Sequence, residues 1–318
     1  MKITPKTPVY LIAIIVATNT IGFIVGAIMS IYSNPEVRFW AEFMSLKDHE
    51  IENLDSPKII FVGGSSCTFS VDAPLISERM GRPAYNYGGS AFMGVRYMFE
   101  RTKKHLKKGD ILVVGYEPAI LEGMDGSKSY PLGPRMCLFE RDLKMSEKIK
   151  TEMGGRRELL DAMRPGLRTS VVILGRKVSG GRPYAYSKED YREGGRLELG
   201  SVEYKVPLRD ELNAVELDRW AIEFLESVVF YCEGIGVRCV YTIPWQATKP
   251  HLVDDLRKNR KEYLENINRV MPVVIDPKFG VISGDEGFSD SEYHLGPILS
   301  QNRSEFLANQ LESLLKKQ

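Results

Sequence analysis

The sequence predicts an α/β fold: a doubly wound, five-stranded parallel sheet with an N-terminal transmembrane helix and a cap insertion. Three observations carry that prediction. Short apolar runs alternate with helical patterns, the signature of parallel strands covered by helices on both faces. The stretch from Val9 to Tyr32 contains no charged residue. A Gly- and Arg-rich segment, residues 119–210, breaks the alternation between the third and fourth runs.

The chain has 318 residues, 43% of them hydrophobic, and a formal net charge of +1. That is enough for one large domain or two small ones around a sizeable core. Near-neutral charge argues against nucleic acid as the main partner, because phosphate binding leaves a basic footprint. Cys67, Cys137, Cys232 and Cys239 are too few for a disulfide framework and lack metal-ligand spacing. Buried free thiols are expected, with pairing of Cys232 and Cys239 open in an oxidising compartment. No cofactor or metal motif is found. The glycines of "VGGSS" continue neither as a dinucleotide fingerprint nor as a phosphate loop.

A helix over Val9–Tyr32 is about 36 Å long, enough to cross a hydrocarbon core of about 30 Å. The competing reading is a cleaved signal peptide, whose apolar region is shorter and ends in an Ala-x-Ala-like site not found here. An uncleaved anchor is the expectation. Lys2 and Lys6 precede the span, so the positive-inside rule puts the N-terminus in the cytoplasm and the rest outside the cell membrane. Thr18, Gly22, Gly26 and Ser30 form a small-residue stripe that permits close approach of another membrane helix.

Residues 1–32 are thus tail and anchor, 33–57 a charged connector, and 58–318 the main domain. Its strands are expected at "KIIFVGG" (58–64), "PAYNYGG" (83–89), "DILVVGYEP" (110–118), "VRCVYTIP" (237–244) and "MPVVIDP" (271–277). Helices are expected near 73–80, 90–107, 211–234, 252–270 and 298–316. Right-handed crossovers give a flavodoxin-like sheet with ligands at the carboxyl ends of its strands. The insert 119–210 carries 18 Lys/Arg against 14 Asp/Glu. It reads as a cap with mild attraction for anionic polymer, or equally as a solvated elaboration without a binding role.

At one strand end stands "FVGGSSCTFSVD". A serine hydroxyl needs an adjacent base to act as a nucleophile. Of four histidines, His49 lies in the connector, His105 complements a helix C-terminus in "KKHLKKGD", and His251 lies in a polar loop. His294, after the last strand, has Asp290 four residues before it, one helical turn away. A carboxylate there fixes the imidazole tautomer and stabilises the imidazolium.

Gly63-Gly64-Ser65 running to Asp72, Asn86-Tyr87-Gly88 after the second strand, and Asp290-x-x-x-His294-Leu295 before the last helix resemble the SGNH (GDSL-like) hydrolase superfamily. The similarity is to its membrane-anchored, extracytoplasmic branch, which includes polysaccharide O-acetyltransferases and the D-alanyl-transfer protein of teichoic acid. It covers roughly residues 55–316 without the insert. The resemblance implies an SGNH-hydrolase-like domain with Ser65 as nucleophile and Ser66 as the alternative. His294 is then the base and Asp290 its partner. Ser65 and Gly88 form the oxyanion hole, with Gly89 in place of Gly88 as an alternative and Asn86 supporting the loop. Gly64 stands where the superfamily has aspartate. Glu117 stands where its third motif has asparagine, and an ionised carboxylate cannot donate to an oxyanion.

The resemblance further implies acyl transfer or ester hydrolysis on a cell-surface polysaccharide, assisted by a polytopic membrane partner that delivers the acyl group. The other open readings are an extracytoplasmic hydrolase of a different ester or lipid, and a non-catalytic carbohydrate-binding or scaffold protein.

Overall fold

The computed structural model of the chain describes residues 7–32, 34–121, 132–142, 144, 186–199, 206, 208 and 217–316. Two compact units result: Met1–Ala41 with Pro134–Ala185, and Glu42–Gly133 with Tyr186–Gln318.

In the first unit, helix α1 spans Thr7–Tyr32. Two of its polar side chains turn back on their own helix. Asn19 Nδ2 donates to Ile15 O at 2.7 Å and Thr20 Oγ1 to Val16 O at 2.8 Å, so each places a donor on a carbonyl one turn upstream. Among the residues described in full, no helix is long and apolar enough to cross a membrane. Side chains along α1 are described only for Tyr10, residues 12–22 and Ile24.

Helix α2, Pro35–Glu52, begins in the first unit and ends in the second. It occupies most of the stretch expected as a connector. The Asn34 side chain accepts the Glu36 N–H at 3.0 Å, and Pro35 fills the first helical position, a cap and a start that suit a helix. In the second unit its Phe43, Met44, Lys47 and Ile51 are buried along one stripe. Most of the charges that read as a linker lie off that stripe on the more exposed side of an amphipathic helix, with Lys47 the buried exception.

The strands of the second unit are β1 (Ile59–Gly63), β2 (Ala84–Asn86), β3 (Ile111–Gly115), β4 (Tyr191–Arg192), β5 (Arg196–Leu197), β6 (Arg238–Thr242), β7 (Gln246–Thr248), β8 (Val273–Val274) and β9 (Val281–Ser283). Five form one sheet in the order β2-β1-β3-β6-β8, every pair parallel. These five coincide with the five apolar runs of the sequence. Ile59, Phe61 and Val113 share a core with Leu307, Ala308 and Leu311, while the alternate residues Ile60, Val62, Leu112 and Val114 are equally buried. Burial on both faces is why the runs lack polar alternation.

The helices between strands are α3 (Ser65–Ser70), α4 (Ala73–Met80), α5 (Val95–Lys103), α6 (Pro118–Leu121), α7 (Leu132–Glu140), α8 (Arg219–Gly234), α9 (Val253–Ile267) and α10 (Pro297–Lys316). Helix α5 packs on β1, α8 on β6, and α10 on α3, α4 and β8. Asp72 caps α4 by accepting the Leu75 N–H at 3.3 Å. The helix expected over 90–107 is shorter because Gly94, at φ 82°, separates a 3-10 turn from α5.

This strand order is the doubly wound, flavodoxin-like one, in which the winding reverses between β1 and β3 and opens a crevice at their carboxyl ends. Ser65 follows β1 there and Glu117 follows β3. Of the expected cap, 186–199 forms a small antiparallel hairpin, β4 with β5, turning through Gly194 and Gly195 at φ 75° and 88°. The hairpin lies close to the second strand: a Cβ at Gly195 would sit 2.2 Å from Asn86 O. Most of the remaining insert lies outside the described residues.

Candidate active site

The stretch "GGSS" joins β1 to α3, and packing accounts for both glycines. A Cβ at Gly63 would meet Gly115 O on β3 at 2.4 Å, and one at Gly64 would meet Glu117 Oε2 at 2.3 Å. Ser65 opens α3 and is half-buried. Its N–H and hydroxyl have no hydrogen-bond partner among the described residues. Ser66, the alternative nucleophile, is 0% exposed, so burial separates the two. Its N–H donates to Glu117 Oε1 at 2.8 Å.

The segment after β8 reaches the same rim. His294 Nδ1 lies 2.6 Å from Asp290 Oδ1, and Tyr186 donates from its hydroxyl to Asp290 Oδ2 at 3.1 Å. A turn closed by His294 N–H on Ser291 O, rather than a helix, brings the pair together. Burial pushes the Asp290 carboxyl up, but the His294 hydrogen bond and charge and the Tyr186 hydroxyl hold it below its ordinary value. The imidazole stacks on Phe69 of α3, centroids 4.1 Å apart and planes 22° apart. Ser70 Oγ donates to Tyr293 O at 3.3 Å. The last loop is thus bound to the helix that Ser65 begins. No hydrogen bond joins Ser65 to His294 among the described residues.

The Asn86–Gly89 turn forms another wall. Asn86 is wholly buried, and its Nδ2 donates to Cys67 O at 2.8 Å and Val71 O at 2.9 Å. It supports α3 as well as its own loop. The Gly88 N–H donates to Asn86 Oδ1 at 3.0 Å, and the Gly89 N–H to Gly63 O at 2.9 Å. Both glycine amides considered for the oxyanion hole are therefore engaged. An oxyanion role for Gly88 requires Asn86 to release it, whereas the Ser65 N–H has no partner among the described residues.

Glu117 is buried at this rim with its carboxylate on the Ser66 amide. Arg303 of α10 is 1% exposed and lies within electrostatic reach of Glu117. Burial draws its guanidinium down to about 10, against the charges of Cys67, Asp276 and Glu117. All four cysteines are free and buried. Cys67, next to Ser66, is pushed up to about 12 by burial, which makes it a poor nucleophile.

Two residues at the site had no place in the sequence reading. Tyr186 belongs to the insert and has no motif around it. Lys47 interrupts the apolar stripe of α2, a visible oddity once 35–52 is taken as a helix. His105 differs from expectation: its Nε2 lies 2.9 Å from Asp48 Oδ1 instead of serving a helix end. His49 and His251 are exposed.

No family model matches the chain, and no curated protein or solved structure matches it. What fold and site define together is an α/β protein with a serine and an Asp–His couple at the carboxyl edge of a doubly wound sheet.

Proposed function

We propose that the chain is a membrane-anchored serine acyltransferase or esterase acting on ester groups, O-acyl groups above all, of a cell-envelope polysaccharide. One observation carries the reading: the Asp290–His294 couple is stacked on Phe69, one turn along the helix that starts at Ser65. With Nδ1 held by Asp290, Nε2 is the nitrogen left to take a proton. His294 removes the Ser65 proton, Oγ adds to the ester carbonyl, and the Ser65 N–H receives the developing oxyanion. The leaving alcohol departs with the proton from His294. Water then resolves the acyl-enzyme in an esterase, and a sugar hydroxyl resolves it in a transferase.

Helix α1 serves as the anchor in this reading. It has 26 residues without a charged side chain, and Asn19 and Thr20 each place a side-chain donor on a carbonyl of their own helix, which lowers the cost of those groups in a bilayer. The N-terminus is then cytoplasmic and the sheet domain extracytoplasmic. The small-residue stripe suits docking of a polytopic acyl-transfer partner, and the basic surplus of the insert suits an anionic polymer.

A second reading, a non-catalytic carbohydrate-binding or scaffold protein, draws on the engaged Gly88 and Gly89 amides and on Glu117 at the asparagine position. A hydrolase of another ester or lipid would use the same triad. Labelling of the full chain with a fluorophosphonate tests the enzyme reading. Wild type and Ser66→Ala should label, and Ser65→Ala and His294→Ala should not; labelling that survives both losses refutes the assignment. Acyl transfer from an activated ester to oligosaccharides, measured against release to water, separates transferase from hydrolase.

A further inference from the structure

We propose that Lys47 is a positioning residue of this site, holding the Asn86–Gly89 turn through its ammonium group. Lys47 is wholly buried, and its Nζ donates to the Gly88 carbonyl at 2.5 Å. From Gly88 a chain of buried hydrogen bonds runs to the helix of Ser65. The Gly88 N–H binds Asn86 Oδ1, Asn86 Nδ2 binds Cys67 O and Val71 O, and Thr68 Oγ1 donates to Gly89 O at 2.9 Å. A lysine is seldom fully buried without a partner that needs its charge. Here the stem lies in the apolar stripe between Met44 and Ile51, where a methionine would pack without desolvating an amine. What the amine adds is the bond to Gly88 and a contact with the Phe43 ring, 4.4 Å away.

The charged neighbours are otherwise occupied. Glu50, on the same helix, accepts from Tyr85 and Tyr191. Asp48 is held by Tyr87, Arg101 and His105. Cys67, facing from α3, has a thiol pushed up to about 12 by burial. Burial takes Lys47 down to about 7, with Cys67 and Glu50 opposing, so its charge is lost as pH rises through neutrality. A charge-assisted bond then becomes an ordinary one, and the turn loosens.

The proposal deepens the acyl-transfer reading and rests on it only for its catalytic consequence. The full chain in detergent is followed from pH 6 to 9 by two readouts: fluorophosphonate labelling of Ser65, and amide hydrogen exchange over 86–89 corrected for its intrinsic pH dependence. In the wild type both should report about fivefold loosening across neutrality. Lys47→Met should show the loose value at every pH, and Lys47→Arg the tight one. Protection of 86–89 that ignores pH in the wild type, or that Lys47→Met leaves unchanged at pH 6, overturns the proposal. Should Lys47→Arg not fold, the other two curves decide. A wild type that never labels yet loosens with pH defeats the acyl-transfer reading and upholds the hold of Lys47 on the turn.

Discussion

Among its described residues the second unit contains two carboxylate–imidazole couples, alike in burial and unlike in company. Asp48 with His105 and Asp290 with His294 have carboxylates 22% and 21% exposed and contacts of 2.9 and 2.6 Å. Asp48 also accepts from Tyr87 and, at 2.7 Å, from Arg101. It is the hub of a network that ties α2 to β2 and α5. Asp290 has one further described partner, Tyr186, and its imidazole stacks on Phe69 of the helix that Ser65 begins at the switch point of the sheet. A close acid–imidazole contact is therefore no sign of chemistry by itself. A fixed charge such as Arg101 commits the acid to structure, and the position of the couple relative to the strand ends decides what the imidazole can reach.

Replacing the acids separates the two couples most widely. Asp290→Asn should slow fluorophosphonate labelling by on the order of 10³–10⁴, through loss of the tautomer and the imidazolium partner. Asp48→Asn should leave labelling per folded molecule unchanged; equal losses in both would erase the distinction. Stability should show the reverse order. Asp48→Ala removes one partner of the buried Asp48–Arg101 pair together with the acceptor of Tyr87 and His105, and should cost roughly 3–5 kcal/mol in denaturant unfolding, against about 1 kcal/mol for Asp290→Asn.

Titration extends the contrast to Lys47. Both acids are held below the ordinary 3.8. Their stabilisation is complete above that value and lost as pH falls through their folded values. Lys47 is lowered from 10.5 to about 7, so the folded chain binds fewer protons than the unfolded one between those values. Global stability should rise with pH across that window, because the folded chain no longer holds a desolvated cation, even as the 86–89 turn loosens locally; the rise is at most about 1.4 kcal/mol per unit, and Lys47→Met should flatten it. The smallest effect belongs to Tyr186→Phe. One hydrogen bond to Asp290 is lost, about 1 kcal/mol, and labelling should slow about fivefold while the Asp48 network is untouched.

The sheet was legible because strands buried on both faces must be apolar throughout, and five such runs stand out from helical patterns. Asp290 and His294 were legible because a four-residue spacing needs only one local turn. Helix α2 was hidden by its charges, although the Asn34-Pro35 pair announces a helix start. Partner choice left no trace in the sequence. Nothing in "NYGG" says that Asn86 captures the Gly88 N–H, or that Asp48 reaches His105 from 57 residues away. Those contacts depend on how helices dock, which local pattern does not encode.

The closeness of the Gly64 backbone to the Glu117 carboxylate limits what position 64 can carry. With a Cβ at 64 only 2.3 Å from Glu117 Oε2, even alanine would evict that carboxylate from the Ser66 amide. Positions 64 and 117 are therefore coupled: a side chain at one is accommodated by moving or shortening the other.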